Sequence, residues 1–214
     1  MADEPPWLAI ARELRAIAQT GLTFSQDQFD RQRYERVREL TATMLSLGSG
    51  ADRGQILRVL LEDKGYGTPK IDVRGAAFVQ DRVLLVREIG DGKWTLPGGW
   101  ADVNQTAAEC VAREIAEESG FEARAVKIAA VYDFHKRNQP ALKPDSIYHL
   151  DSIYKIFFIC EITGGAARAG DETSEAAFFR RDALPELSVG RSTDAQILRM
   201  FEHREQPTLA ADFD

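Results

Sequence analysis

Residues 98 to 121 decide how this chain reads: Gly98-Gly99-Trp100, a polar stretch to Thr106, then Ala107 to Ala112, and Arg113-Glu114-Ile115-Ala116-Glu117-Glu118-Ser119-Gly120-Phe121. Thr106 is an N-cap, and Glu109 three residues later completes a capping box. No Gly or Pro interrupts Ala107 to Ser119, and Gly120 stands where a left-handed residue ends a helix. Ala108, Val111, Ala112 and Ile115 repeat with helical period and are expected to form the buried stripe. Glu114, Glu117 and Glu118, at i, i+3 and i+4, share one face, expected to point away from that stripe. Like charges at that spacing cost a helix about 0.2–0.5 kcal/mol per pair. A divalent cation cancels that cost, and Mg²⁺ takes carboxylates together with phosphate oxygens and water. Alone, such a triplet reads as a solvated acidic face. The adjacent Leu96-Pro97-Gly98-Gly99 changes the balance, because two glycines let a ligand come close to the backbone. Arg113, four residues before Glu117, is within reach of it or of the preceding loop.

The segment resembles the box of the Nudix family, G-x5-E-x7-R-E-U-x-E-E-x-G-U, with U aliphatic or aromatic. Gly99, Arg113, Glu114, Ile115, Glu117, Glu118, Gly120 and Phe121 match it, while Gln105 stands where the box has its first Glu. The resemblance implies an α/β/α sandwich around a mixed sheet and a site that holds Mg²⁺ or Mn²⁺ against a diphosphate. It makes Glu114, Glu117 and Glu118 the metal carboxylates, the Gly98 carbonyl a further ligand and Arg113 their orienting partner. Gln105 keeps length and hydrogen-bonding capacity but loses the charge. The expectation is retained hydrolysis, with a non-hydrolytic nucleotide-sensing module as the alternative.

Outward from the box, the chain divides. Trp7 to Ala18 carry a helical pattern closed by Gly21, Asp27 to Leu47 a second, and Gln55 to Glu62 a third. Lys64 to Lys70 reads as a linker. Strand-like runs follow at Ile71–Val79 and Arg82–Glu88 around a Gln80-Asp81 turn, at Trp94–Leu96, and after the box at Ala125–Phe134, Ile153–Ile162 and Ala176–Arg180. Ser192 to His203 closes the chain as a helix. The expected organisation is therefore a small all-α domain over residues 1–66 and an α/β domain over 67–207.

The N-terminal segments Trp7–Ala11, Ile17–Phe24 and Asp30–Tyr34, together with Thr68–Gly75, Tyr154–Phe158 and Glu172–Phe179, are similar to Nudix hydrolases of X-linked nucleoside diphosphates. That likeness implies a homodimer formed through the helical domain and substrates of the CDP-choline or ADP-ribose type.

Composition sets outer bounds. The 214 residues are 44% hydrophobic and 29% charged, within the range of a folded globular protein. A net charge of −7 argues against duplex nucleic acid as main partner, though RNA stays open through a local basic patch. Cys110 and Cys160 are expected as buried free thiols. No signal-like or membrane-spanning apolar run occurs, and the expected compartment is the cytoplasm.

Other candidates are less determined. The general base is open between Glu114, Glu172 and Glu175. Arg74 meets phosphate or solvent. Gly99, Trp100 and Tyr132 are substrate contacts, with Trp100, Tyr132 and Phe134 available to stack on a base and core packing the competing role of Tyr132 and Phe134. His135-Lys136-Arg137-Asn138 steers an anion or is an exposed loop, and His149 is structural or solvated.

Overall fold

The computed structural model describes residues 5–137 and 151–214. Asn138 and His149 lie outside them. Among the described residues the chain forms two compact units, residues 5–70 with Asp151 and Ser152, and residues 71–137 with 153–214.

The first unit is helical. α1 (Pro6–Phe24), α2 (Gln28–Ser49) and α3 (Arg53–Glu62) close around Leu8, Ala11, Ala42, Leu45, Ile56 and Leu60. Asp27 and Asp52 cap the second and third helices by accepting from the backbone of Asp30 and Gln55, a cap worth about 1 kcal/mol each. Gly21 does not end α1, which runs three residues further. It is a packing residue, since a Cβ there would meet the Tyr34 ring at 2.4 Å. Arg15 bridges Asp63 at 2.5 Å and Asp151 at 2.8 Å, tying the segment around Asp151 to this unit.

The second unit is a mixed sheet with helices on both faces. Its strands are β1 (Lys70–Val79), β2 (Arg82–Glu88), β3 (Trp94–Thr95), β4 (Phe121–Asp133), β5 (Ile153–Gly165), β6 (Thr173–Arg180) and β7 (Asp212–Phe213). The order is β3-β2-β1-β5-β4-β7, with β6 also paired to β2. β1 and β2 form the expected hairpin, Phe78 opposite Val83, through a turn in which Gln80 is left-handed. β7 runs parallel to β4. The box helix α4 (Ala107–Ser119) covers one face through Cys110, Val111 and Ile115 on Val73, Ala77, Leu84, Phe158 and Cys160. α6 (Asp194–Glu205) covers the other through Ile197, Met200 and Phe201. Both cysteines are free and buried.

Three sequence readings are corrected. β4 starts at Phe121, directly after the left-handed Gly120, and Phe134 opens the short helix α5 (Phe134–Arg137) instead of closing a strand. β6 begins at Thr173, so Glu175 lies inside it. Tyr132 is a core residue and not a stacking surface. It is 6% exposed, its hydroxyl donates to Asp212 at 3.1 Å, and the Arg137 guanidinium covers its ring at 4.8 Å.

Overpacking at a rigid ring costs about 1–3 kcal/mol. Gly21→Val is therefore expected to lower the thermal midpoint of the protein in calorimetry. An unchanged midpoint would show that the Gly21–Tyr34 contact is not tight.

Candidate active site

The box helix starts and stops where its local chemistry dictates. The Thr106 hydroxyl accepts from the Glu109 amide at 3.2 Å, and the Glu109 carboxylate accepts from the Thr106 amide at 2.8 Å. Gly120 is left-handed, with its amide bonded to the Ala116 carbonyl at 3.0 Å.

The buried stripe has a different phase from the one expected. Cys110, Val111 and Ile115 are buried, Ala108 is exposed, and Glu118 is buried with the apolar residues. The reason is geometric: at about 100° per residue, positions seven apart share a direction, which puts Glu118 beside Val111. The three carboxylates therefore have three environments. Glu118 is 7% exposed, Glu114 is half-buried, and Glu117 is exposed.

The glycine loop is laid along β1. The Val73 and Gly75 amides donate to the carbonyls of Gly99 (2.8 Å) and Pro97 (2.9 Å), and the Ala101 amide donates to the Ile71 carbonyl (2.9 Å). Gly98, between these rungs, has φ +144°, and a Cβ there would lie 2.0 Å from the Val73 carbonyl oxygen. Only glycine fits. Its amide donates to Glu118 Oε2 at 2.8 Å. A Cβ on Gly99 would come within 3.2 Å of the Glu114 carboxylate. Gly98 is thus demanded by the strand it lies on, and Gly99 leaves room for the Glu114 carboxylate. Trp100 follows, half exposed, bridged to Asp72.

Arg113 gathers the exposed carboxylates. Its guanidinium donates to Glu117 (2.6 Å) and Asp102 (2.9 Å), lies 2.9 Å from Glu114, and gives its Nε to Gln105 Oε1 at 3.3 Å. Gln105 thereby uses its retained hydrogen-bonding capacity to hold Arg113 without a charge. As the side chains stand, no three Asp, Glu, His or Cys groups among the described residues converge closely enough to hold an ion. Glu114 and Glu117 are instead occupied by Arg113.

Behind the loop lies a buried set of charges, of which the sequence singles out Arg74 alone as a candidate site residue. Arg74 is buried, doubly bonded to Asp72 at 2.8 and 2.7 Å, and donates to the Leu96 carbonyl at 3.3 Å. It does not face solvent, which removes one of the two expectations for it. Lys155 is 2% exposed, donates to the Arg191 carbonyl, and sits 5.3 Å above the Phe134 ring. Glu88, at the end of β2, is 2% exposed, with Arg191 Nε 3.2 Å away. Besides Arg74, the legible signal is Lys155, a charge inside the apolar run Ile153–Ile162.

Burial sets the proton affinities. It pushes Glu118 up to about 7, with the charges of Glu88 and Glu114 adding to the effect and Arg74 and the Gly98 amide opposing it. Burial also raises Glu114 and Glu88, against the pull of Arg113 on the first and of Arg191 and Arg74 on the second. Lys155 is pushed down to about 7 by burial, partly offset by Asp72. Of the two loop acids, Glu172 is exposed and close enough for its charge to raise Glu88 further, while Glu175 lies 3.9 Å from Arg87.

Residues 69–201 match the family description "NUDIX domain". This chain belongs to the Nudix hydrolase family. Residues 5–60 match a second description, "UDP-X-like, N-terminal oligomerisation domain". Among similar proteins, YjhB of Bacillus subtilis, provisionally named an ADP-ribose pyrophosphatase, is 44% identical over 208 residues, covering 97% of both chains. The crystal structure of an ADP-ribose pyrophosphatase from Streptococcus suis is 37% identical with a TM-score of 0.60, covering 69% of this chain and all of that one. The crystal structure of a UDP-X diphosphatase is 33% identical with a TM-score of 0.61, covering 97% of this chain and 98% of that one. The Nudix sandwich and the preceding helical region expected from the sequence are thus both present. Among the described residues, no helix is long and apolar enough to cross a membrane.

The raised Glu118 has a consequence for the metal-free protein. A carboxyl whose folded pKa exceeds its unfolded value of 4.5 adds stability that is full below that value and lost as pH rises through about 7. Lys155 contributes the opposite slope above neutrality, so the comparison must be made against a variant. In chelator, Glu118→Gln is expected to gain stability over the unchanged protein between about pH 5 and pH 8, by an amount on the order of a few kcal/mol. Parallel stability–pH curves from denaturant unfolding would contradict the assignment.

Proposed function

We propose that this chain is a divalent-cation-dependent pyrophosphatase of X-linked nucleoside diphosphates, releasing a nucleoside monophosphate and X-phosphate. The observation that carries the reading is the Gly98–Glu118 hydrogen bond, which holds the glycine loop against an acid-bearing helix in a chain whose match to YjhB spans 97% of its length. ADP-ribose and UDP-linked compounds lead the substrate candidates, because the similar proteins carry those names. CDP-choline follows from the sequence resemblance.

The donor set fits Mg²⁺ or Mn²⁺. Glu114 and Glu118 are carboxyls whose proton affinity is raised by burial and by neighbouring acids, and the buried Glu88 Oε1 has no hydrogen-bond partner among the described residues. Hard oxygen ligands of this kind suit Mg²⁺ and Mn²⁺. Glu118 and Glu114 would hold the ion, with Glu117 joining when Arg113 gives it up. The Gly98 carbonyl is a further candidate, since it takes no hydrogen bond among the described residues while the Pro97 and Gly99 carbonyls on either side are used. A bound ion would polarise the phosphoryl oxygens and activate water.

The chain's own residues do the positioning. Arg113 moves between carboxylates and holds Asp102 and Gln105 in place. Trp100, half exposed beside the glycine loop, is assigned to the nucleoside side of the substrate. Arg74 keeps positive charge behind the glycine loop, and its contact with the substrate is through the field it sets up, since its donors are engaged by Asp72 and Leu96. Among the base candidates, Glu172 is favoured over Glu175, which is drawn toward Arg87, while Glu114 serves the cation. Retention of the Arg113–Gln105 contact supports turnover over nucleotide sensing. The helical unit is assigned a homodimer interface, supported by its match to an oligomerisation domain and by exposed Phe24, Phe29 and Leu47.

The test is a panel of ADP-ribose, UDP-sugars and CDP-choline with Mg²⁺ and with Mn²⁺, with products identified by chromatography. Release of a nucleoside monophosphate is expected, abolished by chelator. Glu118→Gln and Glu114→Gln are expected to lower kcat by about a hundredfold or more, since even a supporting partner of a bound metal is worth about 10–100-fold. Sedimentation of the same preparation is expected at twice the chain mass. No turnover with either ion, or full activity of Glu114→Gln, would overturn the reading.

A further inference from the structure

Glu88 is the last residue of β2, and its backbone is fixed. Its amide donates to the Lys93 carbonyl at 2.9 Å, and its carbonyl accepts from Gly92 at 3.0 Å. The ladder between β2 and β6 shifts register between Arg87 and Glu88, bringing Glu88 opposite Thr173. The Thr173 hydroxyl donates to the Glu118 carbonyl at 2.6 Å. Glu88 therefore sits one strand across from the residue that anchors the last turn of the box helix.

Its side chain is incompletely satisfied. Oε1 is buried and takes no hydrogen bond among the described residues. Arg191 Nε lies 3.2 Å from that oxygen but out of line, so the pair is Coulombic and not a hydrogen bond. Buried polar atoms are nearly always bonded. A carboxylate held in this state has an open coordination direction. The two partners also differ in burial: the Glu88 side chain is 3% exposed and that of Arg191 42%. Ion pairs with one solvated partner are cheap to open. The Arg191 backbone would stay in place when its side chain swings away, because Lys155 holds its carbonyl.

Resting on the hydrolase reading above, we propose that Glu88 is a further carboxylate of the cation site, reaching the ion or its water shell alongside Glu118, and that Arg191 is its exchangeable counter-charge. A guanidinium neutralises Glu88 in the metal-free protein, and a divalent cation takes over that task when it binds. Glu88 lies outside the box, so it adds negative charge to a box that lacks its first Glu at Gln105. It supplies the charge at a different place in the fold, from the end of β2.

Mn²⁺ binding followed by electron paramagnetic resonance tests this without reference to turnover. Glu88→Gln keeps the shape and is expected to bind Mn²⁺ about tenfold more weakly or worse. Arg191→Met removes the competing cation and is expected to bind Mn²⁺ more tightly than the unchanged protein. If Glu88 served only as a structural partner of Arg191, both variants would melt at lower temperature in chelator and bind Mn²⁺ as the unchanged protein does, which would overturn the proposal. Weaker binding by Arg191→Met would overturn the counter-charge role. Should Glu88→Gln fail to fold, the direction of the Arg191→Met change decides. An unchanged protein that binds no Mn²⁺ would overturn the hydrolase reading itself, a result distinguishable from loss of the Glu88 effect alone.

Discussion

One hydrogen bond organises this molecule: the Gly98 amide donating to the Glu118 carboxylate. Glu118 shares the direction of Val111 on the box helix, so helix packing carries it into the interior whatever its chemistry prefers. A buried carboxylate without a donor costs several kcal/mol. The glycine loop supplies that donor. To do so it takes a backbone conformation open only to glycine and lies flat on β1, where the Val73 carbonyl leaves no room for a side chain. Strand, loop and helix are therefore fixed relative to one another by the need to satisfy one carboxylate.

The rest of the site follows from charge balance. Asp72, Glu88 and Glu118 are buried beside Arg74, Lys155 and the half-exposed Arg191, while Arg113 holds the half-buried Glu114 and the exposed Glu117 and Asp102. Each acid has an internal counter-charge, so the unit can fold before any ion arrives. The balance is imperfect: Glu118, Glu114 and Glu88 hold their protons more tightly than ordinary carboxyls, and Glu88 keeps an unbonded oxygen. A divalent cation, as proposed above, would relieve both deficits at once. Stability and chemistry compete for the same groups, as expected where acids are brought together for a ligand.

Legibility in the sequence tracked distance along the chain. The box helix could be read from both ends because a capping box and a left-handed glycine act within one turn. The β1–β2 hairpin was legible from two apolar runs flanking Gln80-Asp81. Glu118 was misplaced because residue type argued for solvent while its seven-residue spacing from Val111 argued for burial, and packing decided. Gly21 signals a helix end by composition, yet it marks where α1 meets the Tyr34 ring, a contact between helices. Tyr132 offered an aromatic ring, but its fate depended on Asp212, 80 residues away. Arg191 carried no local signal at all, since its meaning comes from Glu88 on another element. Arg113 was readable as a partner of Glu117 or of the preceding loop, and it makes both contacts, the loop residue being Asp102.

The proposed chemistry requires Glu118 and Glu114 to face a common ion across the glycine loop. Anomalous diffraction from crystals grown with Mn²⁺ and a non-hydrolysable nucleoside diphosphate analogue tests this most directly. The expected result is a manganese peak bound by the Glu118 and Glu114 carboxylates, with the Arg113 guanidinium withdrawn toward Asp102 and the diphosphate on the far side of the ion. A peak held only by exposed carboxylates elsewhere, with Glu118 still bonded to Gly98 alone and the analogue bound away from the glycine loop, would contradict it.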